Sequence, residues 1–286
     1  MTQPRPLVTP AAWDTLKRFT DARIALGRSG HSLPTAPHLN FQLAHAQARD
    51  AVHLAFDPVG VAQSLEPTGL ATLQLHSAAA DRYTYLQRPD LGRQLDAASR
   101  QRLQEWEAYN SQSAPDIGFD IAFVVADGLS ALAVHQNAAP LIQAMVERLG
   151  ADAQQRWSIA PVALVEQGRV AVGDEVGQAL RARVVVVLIG ERPGLSSPDS
   201  MGIYLTWAPA VGLNDAQRNC ISNVRPAGLT VSAAAEKLHY LLTQSRALGM
   251  TGVGLKDESG AAVPLGAKRQ SPGALGASIW NPRDSA

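Results

Sequence analysis

The sequence predicts an α/β fold: a parallel sheet flanked by helices, preceded by a mainly helical N-terminal region. Three observations carry this. In ARVVVVLIGERPGLSS, Ala182 to Ser197, four consecutive valines run into Leu188 and Ile189 without alternation. Both faces of such a strand are covered, as in a parallel sheet with helices on each side. Downstream of Asp120, apolar runs alternate with helical periods at βαβ spacing. Upstream, helical periods dominate and strand signals are weak.

In chain order, a Pro-rich arm leads into TPAAWDTLKRFTDARIAL, which reads as a helix. Thr9 is its cap, Pro10 suits its first turn, and Trp13, Leu16, Phe19 and Ile24 form its stripe. GRSGHSLPTAPHLN is a loop. PHLNFQLAHAQARDAVHLAF resumes the helical period through Leu39, Leu43, Ala46, Val52 and Leu54. Signals then fade until TYLQRPDLGRQL, where Pro89 and Gly92 mark a turn or a helix start. Asp96 to Tyr109 is helical, and NSQSAPD is a polar break.

From Asp120 the character changes. Ile121 to Val125 is a strand ending in a turn, and Ala131 to Leu149 is a helix. PVALVEQ is a second strand, and GDEVGQAL a short helix leading into the valine strand. MGIYLTW is a fourth strand, RNCISNVRPAGL a loop, and Ser232 to Leu248 a closing helix capped by Ser232, with Glu236 near the capping-box position. The organisation is a helical region over 1–115, an α/β domain over 116–255, and a tail over 256–286 rich in Gly, Ala, Ser and Pro that reads as disordered.

Composition narrows the function. A length of 286 residues allows one large domain or two ordinary ones. Net charge is zero, which removes the electrostatic case for nucleic acid or an anionic membrane. Charged residues are 17%, below the roughly 25% of ordinary domains, which suits a surface covered by a partner. The single cysteine, Cys220, excludes an internal disulfide and a Cys-based zinc cluster. No apolar run reaches membrane-spanning length, and MTQPRPLVTPAAWD lacks the features of a signal peptide. The expected location is the cytoplasm.

Four segments present small or polar residues at expected strand ends: ADGLSA, EQGRV, GERPGL and RNCISN. Singly, each reads as an ordinary strand end, since Gly-containing turns end most strands in any α/β domain. Together they line one edge of the sheet, where α/β folds place ligands. Arg169 and Arg192 are the basic groups best placed there, and Glu191 offers an acceptor or a salt bridge to Arg192. Catalytic schemes fail on inspection. GLSSP and GLSAL lack the second glycine of a nucleophile elbow, and TGVGLKD carries Asp257 where a dinucleotide fingerprint needs its third glycine. No Walker-type lysine loop exists, and no pair of the seven histidines has metal-ligand spacing beside a carboxylate. The residues describe a binding module with no acid, base or nucleophile constellation of its own, so no catalytic residue and no metal is assigned.

The strings YLQRPDLGRQL, VVADGLSA, VEQGRV, LIGERPGL and RNCISN, in this order and spacing, resemble the small (light) subunit of ethanolamine ammonia-lyase. The resemblance runs from about Leu16 to about Gly252. It implies an adenosylcobalamin-dependent, two-subunit enzyme that converts ethanolamine to acetaldehyde and ammonia by a radical mechanism. The large subunit would carry the substrate site. This chain would cover the cobalamin with a Rossmann-like domain, in a higher-order hetero-oligomer, and be inactive alone. The family's cobalamin contacts fall on Val170 in EQGRV, Glu191 in GERPGL and Cys220 in RNCISN, with Arg169 beside Val170. Glu191 would accept from corrin amides, Arg169 would meet the nucleotide-loop phosphate, and Val170 and Cys220 would touch flat apolar parts. None of the seven histidines is followed three residues later by glycine, so the Asp-x-His-x-x-Gly motif is missing. The implied binding mode is therefore base-on.

Two departures from the family follow. Relatives often carry a longer, amphipathic N-terminal extension for delivery into a bacterial microcompartment, and none is seen ahead of the first expected helix. The tail beyond Gly252 also exceeds the family pattern. Judged on the residues alone, a stand-alone α/β nucleotide-cofactor enzyme and a non-enzymatic interaction subunit stay open.

Overall fold

A computed structural model describes residues 7–20, 22–113 and 118–259. The first helix expected, from Thr9, is reduced to a 3₁₀ turn at Asp14–Phe19 that buries no residue. Thr9 instead bridges to Arg28 in extended backbone. The cause is the missing packing surface: Trp13 is 63% and Phe19 80% exposed, and short helices without tertiary support are marginal in water.

Helix α1 (Thr35–His53) buries only Ala44 and Ala51. In α2 (Pro58–Leu65), Pro58 occupies the first helical position and the Asp57 carboxylate accepts the Gly60 N–H at 2.9 Å. Strand β1 (Thr72–His76) then lies among the N-terminal helices and joins the main sheet. No strand is expected there from the residues, because TLQLH is short and buries only Leu75. Helix α3 (Arg82–Gln87) follows, capped by Asp81, then a 3₁₀ turn at Leu91–Arg93 and α4 (Ala97–Ser113).

The rest alternates: β2 (Phe119–Ala126), α5 (Ala131–Gly150), β3 (Val162–Glu166), α6 (Val172–Ala179), β4 (Ala182–Gly190), β5 (Met201–Trp207), β6 (Arg218–Val224) and α7 (Val231–Leu248). Ser130 caps α5 and Thr230 caps α7, each accepting an N–H at 3.3 Å. The α7 cap thus sits two residues before the Ser232 expected.

The six strands form one sheet in the order β1-β3-β2-β4-β5-β6. The first four are parallel, whereas β5 and β6 run antiparallel to their neighbours. The expected parallel sheet is therefore a mixed one. The link between β4 and β5, residues 191–200, is shorter than a parallel crossover requires, so β5 returns as a hairpin partner. RNCISN, expected as a loop, is strand β6. Its polar residues Cys220 and Ser222 lie on a face that no helix covers, while Ile221 points into the core.

One face of the sheet packs on α2, α5 and α7 through Ile121, Phe123, Val186, Leu188 and Ile203. The other packs on α4 and α6 through Val124, Val165, Val185 and Val187. The valine strand is thus buried on both sides, as its sequence predicts. No described helix is long and apolar enough to cross a membrane. The tail expected over 256–286 lies outside the described residues from 260 onward.

Candidate functional site

The chain leaves β2 for α5 on one face of the sheet and leaves β3 for α6 on the other. Divergence of this kind opens a crevice at the carboxyl ends of the strands. An open cleft of about 730 Å³ lies there. Gly128 and Leu129 after β2, Arg169 to Ala171 after β3 and Ile189 to Arg192 at the end of β4 line it. Tyr204 of β5, the stretch Leu213 to Asp215, Arg218, Tyr85 and Arg93 complete the wall.

The turns forming the rim are locked to one another. The Leu129 N–H donates to the Gly190 carbonyl at 2.9 Å. A β-carbon on Gly190 would collide with the Ser130 carbonyl oxygen, so this glycine is required by close backbone approach. Asp127, 2% exposed at the end of β2, accepts the Gly168 N–H at 3.0 Å and lies 3.5 Å from the Arg82 guanidinium. Burial pushes its carboxyl up to about 6, against the opposing pull of Arg82.

Arg169 follows in the same turn. Its backbone N–H donates to the Gly92 carbonyl at 2.7 Å, and its guanidinium donates to the Tyr85 carbonyl at 3.0 Å. The guanidinium carbon lies 4.4 Å from the centroid of the Tyr85 ring. Its buried Nε has no hydrogen-bond partner among the described residues. Val170, half-buried beside it, packs on the core behind α6 and faces the cleft.

Glu191 is fastened rather than free. Its carboxylate accepts from the Ser200 hydroxyl at 2.5 Å, the Ser222 hydroxyl at 2.5 Å and the Asn223 N–H at 3.3 Å. These bonds tie the end of β4 to β6. Cys220 sits in mid-strand rather than at a strand end, outside the cleft lining, directly opposite Tyr204 in the β5–β6 register. The Tyr204 hydroxyl pairs with its thiol, and burial raises the pKa of both groups. Arg169, Val170 and Glu191 therefore share one concavity, and Cys220 adjoins it through Tyr204.

Several participants are not marked by the sequence. YLQRPDLG stands out as a string without a physical reason, and the reason is steric. A β-carbon on Gly92 would stand 2.9 Å from Arg169 Cγ and 3.1 Å from the Tyr85 ring. Arg218 and Asp174 are also unmarked. They form a buried two-point pair at 2.6 and 2.7 Å, with Arg218 donating further to Thr206 Oγ1 at 2.9 Å. Nothing in the strings RNC or GDEV announces that pairing, which depends on β6 and α6 meeting in space.

The site offers guanidinium donors, backbone amides and an apolar floor. It shows no nucleophile paired with a base. Among the described residues, no group of three His, Cys, Asp or Glu side chains is placed to hold a metal ion.

A model of the family "ethanolamine ammonia-lyase light chain (EutC)" matches residues 10–256. A relative from Ralstonia nicotianae, named ethanolamine ammonia-lyase small subunit, is 63% identical over 258 residues, covering 90% of this chain and 92% of its own length. A protein of the same name from Azotobacter vinelandii is 58% identical over 255 residues, covering 89% and 92% respectively. On the breadth of that match, from the N-terminal arm to the end of the described fold, the chain belongs to the ethanolamine ammonia-lyase light-chain family.

Proposed function

We propose that this chain is the cofactor-clamping small subunit of an adenosylcobalamin-dependent ethanolamine ammonia-lyase, with the cleft forming half of a corrinoid pocket closed by a large subunit. The observation that carries the reading is the gathering of Arg169, Val170 and Glu191 on one concave face. Bound there, adenosylcobalamin would supply the radical chemistry that turns ethanolamine into acetaldehyde and ammonia.

The residues present fit such a group. The buried, unpartnered Arg169 Nε leaves donor capacity at the cleft for a phosphodiester. Glu191 Oε1 accepts one protein hydrogen bond, so it can take a second from a primary amide. Val170 supplies an apolar wall beside α6, and Tyr204, whose hydroxyl pairs with Cys220, extends the cleft surface over β5. With no acid, base or nucleophile constellation, the chain's part is to bind, orient and exclude water, and it is inactive alone.

In this reading, residues 116–255 act as a Rossmann-like cobalamin domain in a cytoplasmic assembly, and residues 1–115 dock on the large subunit. Lacking an Asp-x-His-x-x-Gly motif, this chain would supply no histidine to cobalt, as the base-on expectation requires, and a holoenzyme spectrum with histidine nitrogen on cobalt would overturn that. The decisive experiment co-expresses the chain with a large-subunit partner and follows cobalamin absorption through gel filtration. Corrinoid eluting with the two-chain complex, and lost from either chain alone, is the expected result. Corrinoid held equally by the large subunit alone would refute the clamp.

A further inference from the structure

We infer that Tyr85 is a positioning residue that sets the Arg169 guanidinium in the cleft. The inference deepens the reading of the cleft as a cofactor site and rests on it.

Tyr85 is 1% exposed, yet it reaches the cleft wall from α3, a helix far in sequence from the strand-end turns. Three of its parts hold the 168–169 turn. Its ring carries the Arg169 guanidinium at 4.4 Å, its carbonyl accepts from Arg169 at 3.0 Å, and its hydroxyl donates to the Gly168 carbonyl at 3.3 Å. The ring is itself held. Arg82, one helical turn earlier, lies 4.7 Å from the same centroid. Arg82 is pinned by bonds to the Val52 carbonyl at 2.7 Å and the Gly128 carbonyl at 2.8 Å.

A long arginine side chain left free loses much of its rotamer entropy when it grips a ligand, and an aromatic platform removes that cost in advance. Gly92 completes the arrangement, because any side chain there would push between the ring and Arg169. The assembly therefore delivers a preoriented cation to the part of the cleft that the proposed phosphodiester would occupy.

The test uses cobalamin titrations of the assembled two-subunit complex, followed by absorbance, with Y85F, Y85L, R169A and the Y85L/R169A pair. Y85F, which keeps the ring, is expected to bind within about twofold of the parent, and Y85L about five- to tenfold more weakly. The double variant is expected to bind no more weakly than R169A alone, because Tyr85 then has nothing left to position. Losses that multiply in the double variant, or a Y85L complex that binds like the parent, would overturn the inference.

A second readout does not depend on the cofactor. In the full chain with labelled arginine, the Arg169 side-chain methylene protons should show an upfield ring-current shift that persists in Y85F and vanishes in Y85L. Absence of that shift in the parent also overturns the positioning role. Retention of the shift with R169A binding cobalamin normally would instead count against the cofactor reading of the cleft.

Discussion

Glu191 joins two functions in one carboxylate, and the consequence is measurable. Because it accepts from Ser200, Ser222 and Asn223, it fixes the end of β4 to β6 as well as facing the cleft. Glu191→Ala should lower unfolding stability by about 1–3 kcal/mol in urea titrations, since three donors lose a charged acceptor. It should also lower cobalamin retention in the assembled complex roughly tenfold. A purely ligand-facing carboxylate would change only the second quantity. Asp127 makes a separate prediction in pH. Its folded pKa of about 6 lies above the ordinary 3.8, because burial disfavours the charge. Between those values the folded chain keeps a proton that the unfolded chain has released. The contribution of Asp127 to stability therefore falls as pH rises through that window, by roughly 3 kcal/mol, and is level above it. Asp127→Asn stays neutral and still accepts from Gly168, so its urea-unfolding free energy should rise relative to the parent's as pH climbs through that window. Parallel profiles for the two proteins would show that Asp127 is not the titrating group.

At the level of elements, legibility in the sequence tracks how completely a strand is buried. The valine strand is plain in the sequence because β4 is covered on both faces, which removes any need for polar residues at alternate positions. β6 is not, since its outer face carries Cys220, Ser222 and Asn223 against no helix, and a half-open strand of polar residues reads like a loop. β1 is hidden by brevity, and the first expected helix fails because its stripe meets no partner among the described residues. Site residues divide in the same way. Arg169, Val170 and Glu191 lie in turns that punctuate the sequence, whereas Tyr85 reaches the cleft only through tertiary packing. The Arg218–Asp174 pair is the clearest case of a contact invisible in one dimension, and it fastens β6 to α6 from side chains 2% exposed. Arg218→Leu strands the Asp174 charge in the interior and should cost about 3–5 kcal/mol in urea unfolding. Adding Asp174→Leu should return much of that loss, because apolar pairs of suitable volume replace buried ion pairs at little cost. A double variant as unstable as the single one would mean that the pair's bonds to neighbours matter more than the charge left behind.

At the scale of the whole molecule, apolar residues are distributed unevenly. The sheet and its flanking helices bury their apolar side chains, while the N-terminal arm and α1 leave Leu7, Trp13, Phe19, Leu39 and Leu43 more than half exposed. So many exposed apolar side chains in one stretch of chain suit a segment that a partner covers. Under the proposed function, that partner is the large subunit. Trp13 and Phe19 contribute nothing to the core, so Trp13→Ala with Phe19→Ala should leave the urea midpoint of the isolated chain within error of the parent. If the arm docks, the same variant should bind the large subunit at least about thirtyfold more weakly by sedimentation, since even one buried aromatic anchor at an interface centre is worth about 2 kcal/mol or more. Cobalamin binding should then fall only through the lost assembly and recover at high large-subunit concentration, because neither residue lies in the cleft. Unaltered association would assign docking to another surface. A cobalamin defect that persists at saturating large subunit would instead tie the arm to the cleft itself.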